Sequence, residues 1–139
     1  MKLHESGENY LKAILILTKQ KGYARSCDLA QYLNISKPSV SRAVKLLHQG
    51  GFLTLDSGKI LRLTELGQET AENVYERHRV LKQSLINIGV DPESAEQDAC
   101  RIEHDISKTT FDVLKRHLEK HLTESVSTLT GEAQAVALI

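Results

Sequence analysis

Three residues in the C-terminal half could hold a metal ion. Cys100, Glu103 and His104 sit in the run Ala99-Cys100-Arg101-Ile102-Glu103-His104. On a helix the spacing i, i+3, i+4 puts them on one face, about one turn long. A thiolate, a carboxylate and an imidazole form a donor set for a divalent transition ion, and Cys and His favour iron, cobalt, nickel or zinc over magnesium or calcium. His78 lies on an earlier helical stretch and can supply a fourth ligand or belong to a neighbouring site. The bland alternative is packing, with Cys100 a small core residue and Glu103 and His104 a polar edge. A third reading makes Cys100 a nucleophile and His104 its base. That reading lacks an evident oxyanion hole, and one-turn helical neighbours seldom form a catalytic pair, so no enzyme is expected. His4, His48, His117 and His121 join no cluster, and Cys27 reads as a packed, inert side chain.

A second constellation is basic and hydroxyl-rich. Ser36, Lys37, Pro38, Ser39, Ser41, Arg42 and Lys45 fall within the first three turns of a predicted helix, with Lys59 and Arg62 on a following hairpin and Arg25 at the start of the preceding helix. Small hydroxyl side chains let a helix approach base edges, and Arg42 can grip a guanine O6/N7 edge with two hydrogen bonds. Lys37, Lys45, Lys59, Arg62 and Arg25 are expected at phosphates, which position a protein without reading sequence. The alternatives are that these cations only solvate exposed faces, and that Ser36 and Pro38 only cap a helix.

The elements that must position these groups follow from local pattern. A helix is predicted from about Ser6, as N-cap, to Lys21, with Tyr10, Leu11, Ile14, Leu15 and Leu17 as its apolar stripe and Gly22 as its stop. A short helix over residues 26–33 and another over 37–49 are joined by a tight turn, with Ser36 as N-cap and Pro38 in the first turn. Residues 52–55 and 60–63 flank Asp56-Ser57-Gly58-Lys59, which is good turn chemistry for a hairpin. Helix, helix, turn, helix, hairpin is a winged helix-turn-helix, whose recognition helix enters the major groove N-terminal residues first. A long helix is predicted from Thr64 to about Ile88, stopping at Gly89. One capped by Asp91-Pro92 follows to about Asp105, and one from Ser107 to about His121. The tail, residues 122–139, is given at most one short helix and is otherwise expected to be partly disordered. The fold class is therefore mainly α, with a DNA-binding winged helix over 1–63 and an all-helical domain carrying the candidate metal ligands over 64–139, which the resemblance described below makes a dimerisation and metal-binding domain.

The charge agrees with this partition. The 139 residues carry 18 Lys plus Arg and 18 Asp plus Glu, a formal net charge of zero. Residues 1–63 hold ten cations against four acids, net +6, and residues 64–139 hold eight against fourteen, net −6. No apolar run approaches the roughly 20 residues of a membrane-spanning helix. The first residues lack the hydrophobic core of an export signal, and two cysteines make no disulfide framework, so a cytoplasmic protein is expected.

These residues carry a family resemblance. A winged helix followed by a helical domain with Ala-Cys-Arg-x-Glu-His is similar to the metal-dependent repressors related to the diphtheria toxin repressor and the manganese transport regulator. Gly22-Tyr23-Ala24-Arg25, Ser36-Lys37-Pro38-Ser39-Val40-Ser41, Leu63-Thr64-Glu65-Leu66-Gly67 and Ile88-Gly89-Val90 match in order, over about residues 6–121. The resemblance implies a homodimer built by the helical half. It implies a divalent corepressor, Fe(II) or Mn(II), with Zn(II), Co(II) or Ni(II) able to substitute. It also implies a palindromic double-stranded operator upstream of metal-uptake genes. Cys100, Glu103 and His104 match the primary ligands of the iron-responsive branch, and His78 matches an ancillary ligand. The family's first-helix ligand is Met or Asp, and here that place is Asn9, before Tyr10. Where relatives have carboxylates, this chain has Lys12 and Lys82. Lys12 can stand in for one cation beside Glu103 or a neighbouring carboxylate. The alternative function is therefore a winged-helix regulator of the same fold with weakened metal dependence, or one answering another effector.

Overall fold

The computed structural model describes the backbone of residues 5–133 and the side chains of residues 6–121. The elements are α1 (Glu5–Lys21), α2 (Ser26–Leu33), α3 (Lys37–Gln49), β1 (Leu53–Leu55), β2 (Leu61–Leu63), α4 (Glu65–Asn87), α5 (Pro92–Ile102) and α6 (Lys108–Ala133). Contacts divide the chain into two compact units, residues 1–76 and 77–139. The division falls inside α4, because the first turns of that helix, through Ala71, belong to the core of the first unit. Among the described residues no helix is long and apolar enough to cross a membrane.

The first unit is a winged helix. Leu11 and Ile14 of α1, Leu29 of α2, Val40 and Leu47 of α3, and Leu53 and Leu61 of the hairpin are almost fully buried together. Each such aliphatic side chain contributes roughly 1.5–3 kcal/mol of burial. The turn between α2 and α3 depends on Asn34, which takes the left-handed conformation (φ 54) that Asn tolerates. Ser36 caps α3 by accepting from the Ser39 N–H at 3.3 Å. β1 and β2 pair antiparallel with Leu53 opposite Leu63, Thr54 opposite Arg62 and Leu55 opposite Leu61. Leu53 and Leu61 point into the core, whereas Leu55 is 46% exposed. The Leu61 N–H also donates to the Ala24 carbonyl at 2.8 Å, which ties the wing to the start of α2. At the entry to α4, Thr64 Oγ1 donates to the Gly51 carbonyl at 2.6 Å and accepts from the Gly67 N–H at 3.1 Å. Gly67 lies so close to the Phe52 carbonyl that a Cβ there would run into it. Only glycine permits this contact.

The second unit comprises the rest of α4 with α5 and α6. Gly89, at φ 108, terminates the turn after α4, and Asp91 caps α5 by accepting from the Ser94 N–H at 2.9 Å. Ser107 does the same for α6 through the Thr110 N–H at 3.2 Å.

Four expectations need correction. α1 begins at Glu5, so Ser6 lies within its first turn and is not its cap. α5 ends at Ile102; Glu103 keeps helical dihedrals as the C-cap, and His104 falls in the turn beyond. α6 does not stop near His121 but continues to Ala133. No proline intervenes there, and Leu118, Leu122, Val126 and Leu129 keep a helical spacing. The expectation of disorder for residues 134–139 lies outside the described residues. Finally, Cys27 is exposed on α2, not packed, because the buried stripe of that short helix is Leu29 and Ala30.

Candidate metal centre and DNA-reading face

α4, α5 and the turn after α5 bring six side chains into one chain of contacts. His78 is near the middle of α4 and 8% exposed. Glu96 and Cys100 are one turn apart on α5, and Glu103 is its cap, so all three share the face toward α4. Glu103 is completely buried. Its Oε2 lies 2.8 Å from His78 Nδ1 and its Oε1 lies 3.2 Å from His104 Nε2. Cys100 Sγ is 3.7 Å from the same Nδ1. The other ring nitrogen, His78 Nε2, lies 2.9 Å from Glu96 Oε2. Lys82 Nζ reaches that same oxygen at 2.9 Å.

A buried charge persists only when paired, and Glu103 has an imidazole at each oxygen. Each ring nitrogen of His78 thus faces a carboxylate oxygen, Glu103 on one side and Glu96 on the other. Burial works against the charge on Glu96, but the hydrogen bonds from Lys82 and His78 outweigh it and hold its carboxyl below the usual range. Arg77 donates to the Glu103 main-chain carbonyl at 3.4 Å and lies over the Phe111 ring, 5.9 Å from its centroid. It thereby satisfies the end of α5 and ties it to α4 and α6.

One ligand atom from each of His78, Glu96 and Cys100 lies within 4.8 Å of the others. Such atoms can close on one ion. Imidazole, thiolate and carboxylate suit a first-row transition metal, so the residues present fit that class of cofactor. Of the residues named from sequence, His78, Cys100, Glu103 and His104 come together in this unit, and Asn9 lies on α1 in the first unit. Glu96 was missed. Its signal was available: four residues before Cys100, it extends the same helical face.

In the same unit, Leu81, Leu85, Ile102, Ile106, Leu114 and Leu118 line a largely apolar groove of about 680 Å³.

The first unit carries the other set. Val40, Val44 and Leu47 bury one face of α3. Ser36, Lys37, Pro38, Ser41, Arg42 and Lys45 are exposed, and Ser39 is half-buried. Ser39 Oγ accepts from Ser36 Oγ at 2.9 Å and from Arg42 at 3.4 Å, which steadies the guanidinium over the first turn. On the wing, Asp56 Oδ1 accepts from the Gly58 and Ile60 N–H groups, and Oδ2 accepts from Arg62 Nε at 3.0 Å. Those bonds, the Ile60 amide first, lower its pKa below 3.8. Arg62 is thus held on the wing surface, and exposed Lys59 occupies the tip at φ 58. Arg25 is exposed at the N-cap of α2, 5.5 Å from the Tyr23 ring centroid.

Comparison with known proteins agrees with both halves. Residues 2–59 match the family described as iron dependent repressor, N-terminal DNA binding domain. Residues 64–125 match iron dependent repressor, metal binding and dimerisation domain. The transcriptional regulator MntR of Escherichia coli (strain CFT073) is 32% identical over 114 residues, covering 82% of this chain and 74% of the relative. The HTH-type transcriptional regulator MntR of Lysinibacillus sphaericus is 36% identical over 107 residues, 77% of each protein. The crystal structure of IdeR from T. acidophilum aligns with a TM-score of 0.73 at 27% identity, covering 86% of this chain and 55% of that one. This chain therefore spans about half the length of that solved relative. With a DNA-binding and a metal-binding half matched in order, the chain belongs to the iron-dependent repressor family.

Proposed function

We propose that the protein is a homodimeric, cytoplasmic repressor that binds a palindromic operator of metal-uptake genes, with Fe(II) or Mn(II) as corepressor. The observation that carries this reading is the cluster of Cys100, His78, Glu96, Glu103 and His104, in a chain whose other unit is a winged helix. Cys100, His78 and Glu103 would hold the metal, with His104 and Glu96 beside them. When bound, the ion supplies positive charge that binds more tightly to the DNA-competent state and so raises its population. Coupling of this kind is typically worth about 1–3 kcal/mol, or about 5–150-fold in operator affinity. Cys100 tilts the choice toward iron, since a thiolate is a softer ligand than a carboxylate.

Arg25, Ser36, Lys37, Pro38, Ser39, Ser41, Arg42, Lys45, Lys59 and Arg62 form the DNA-facing set in this reading. The exposure of α3 and the wing supports it. Two recognition helices would meet half-sites one helical turn apart, or a multiple of it. The apolar groove supports pairing of two helical halves, since burying such a surface drives association.

The test selects a binding site from randomised duplex DNA and measures affinity for it with and without Mn(II) or Fe(II) under anaerobic conditions. Metal is expected to tighten binding in the wild type and to leave Cys100→Ala unchanged. A wild type whose affinity ignores both metals overturns the corepressor reading. The Lys82–Glu96 ion pair favours a second reading, the same regulator with weakened metal dependence. In that case the metal-free protein already binds the selected site at nearly full affinity.

A further inference from the structure

His78 faces two different surroundings through its two ring nitrogens. On the Nδ1 side lie the buried Glu103 carboxylate at 2.8 Å and the Cys100 thiol at 3.7 Å. On the Nε2 side lies the half-exposed Glu96, at 2.9 Å, and its Oε2 already accepts from the Lys82 ammonium at 2.9 Å. His78 and Lys82 are one turn apart on α4, and Glu96 and Cys100 one turn apart on α5. The ammonium is therefore placed by two helices and not by a loop.

We infer that Lys82 acts as a built-in cation that closes the outer, Nε2 side of His78 and limits each protomer to a single metal ion on the inner side. The inference rests on the metal-binding reading above and adds the number of ions and the residue that sets it.

The argument is electrostatic and geometric. An ion bridging His78 Nε2 and Glu96 Oε2 would need the oxygen that Lys82 holds, and it would sit a few ångströms from a fixed positive charge. A divalent ion and an ammonium at that separation repel each other by more than a tenfold change in affinity, even in a watery dielectric. The inner side differs in chemistry as well. It offers a fully buried carboxylate, whereas the outer side's carboxylate is reached by solvent, and the Cys100 thiol lies within 4.8 Å of ligand atoms of both His78 and Glu96. Glu96 thus stays with Lys82 and orients His78 through Nε2.

Metal stoichiometry on the full-length, metal-free protein tests this. Co(II) is followed by thiolate-to-cobalt absorption and Mn(II) by calorimetry, for the wild type, Lys82→Glu and Lys82→Met. The wild type should bind one equivalent per protomer, with the thiolate absorption complete at that point. Lys82→Glu should bind two equivalents, the second at least about tenfold more tightly than any second ion in the wild type. Lys82→Met, which removes the charge without adding a ligand, should fall between them. Circular dichroism should show all three equally folded. Two tight equivalents in the wild type overturn the inference, as does a single equivalent in folded Lys82→Glu. Binding by none of the three proteins overturns the metal reading itself, and this inference with it.

Discussion

The two charged regions of this molecule are held in opposite ways. On α3 and the wing, the cations and hydroxyls are exposed, and the contacts found there are short local hydrogen bonds such as Ser36–Ser39–Arg42 and Asp56–Arg62. Between α4 and α5, charged groups hold one another in a continuous chain from half-exposed Lys82 and Glu96 through buried His78 and Glu103 to His104. A surface meant for a polyanion can let water satisfy its charges until the partner arrives. A surface meant for one small ion must exclude water and satisfy its charges internally. The first arrangement makes contributions separable, and the second makes them collective.

Substitutions can break or sharpen that contrast. The largest effect is expected at Glu103. Removing a fully buried carboxylate leaves two histidines without their shared partner, so Glu103→Ala should destabilise the metal-free protein by about 3–5 kcal/mol in urea unfolding. A loss under about 1 kcal/mol would mean the cluster is no more collective than the surface set. Next comes Arg42→Ala, which should leave stability unchanged but weaken binding to the selected operator by about 1–3 kcal/mol, with little effect on unrelated duplex DNA. Equal weakening on both DNAs would demote Arg42 to a phosphate contact. Lys45→Ala is expected to do less. Affinity should fall modestly and uniformly across sequences, and the slope of log affinity against log salt should flatten by about one. The smallest effect is local to the wing. The Asp56 carboxyl titrates below 3.8 when folded, so the order it gives the turn is present above that value and lost as pH falls through its lowered folded pKa. The Gly58 and Ile60 amide resonances should follow that titration in the wild type and not in Asp56→Asn.

Where structure was written locally, the sequence could be read. Ser36, Asp91 and Ser107 cap the helices they precede, and Asp56-Ser57-Gly58-Lys59 makes the wing turn, because these residues act on backbone groups two or three positions away. Helix ends without such a marker were misjudged. Ser6 is a possible cap that the helix passes through, and after His121 nothing in the sequence stops α6. The site was legible only along one helix. Periodicity puts Cys100 and Glu103 on one face, but that Glu103 is wholly buried and paired with His78 of α4 is not visible along one helix. Lys82 is legible in the sequence only as a cation one helical turn after His78. Its bond to Glu96 appears only when two helices distant in sequence are laid together.

Among the described residues, no buried side-chain nitrogen or oxygen lacks a hydrogen-bond partner. Zinc fingers show the opposite design, in which the chain stays unfolded until its ion arrives, so that binding energy is spent as folding energy. Here the histidines already serve Glu103 as internal substitutes for the ion. An arriving ion would therefore displace protons from a finished scaffold instead of assembling one. Such a protein can be emptied without being destroyed, and the same molecule can report scarcity and plenty many times over within its lifetime.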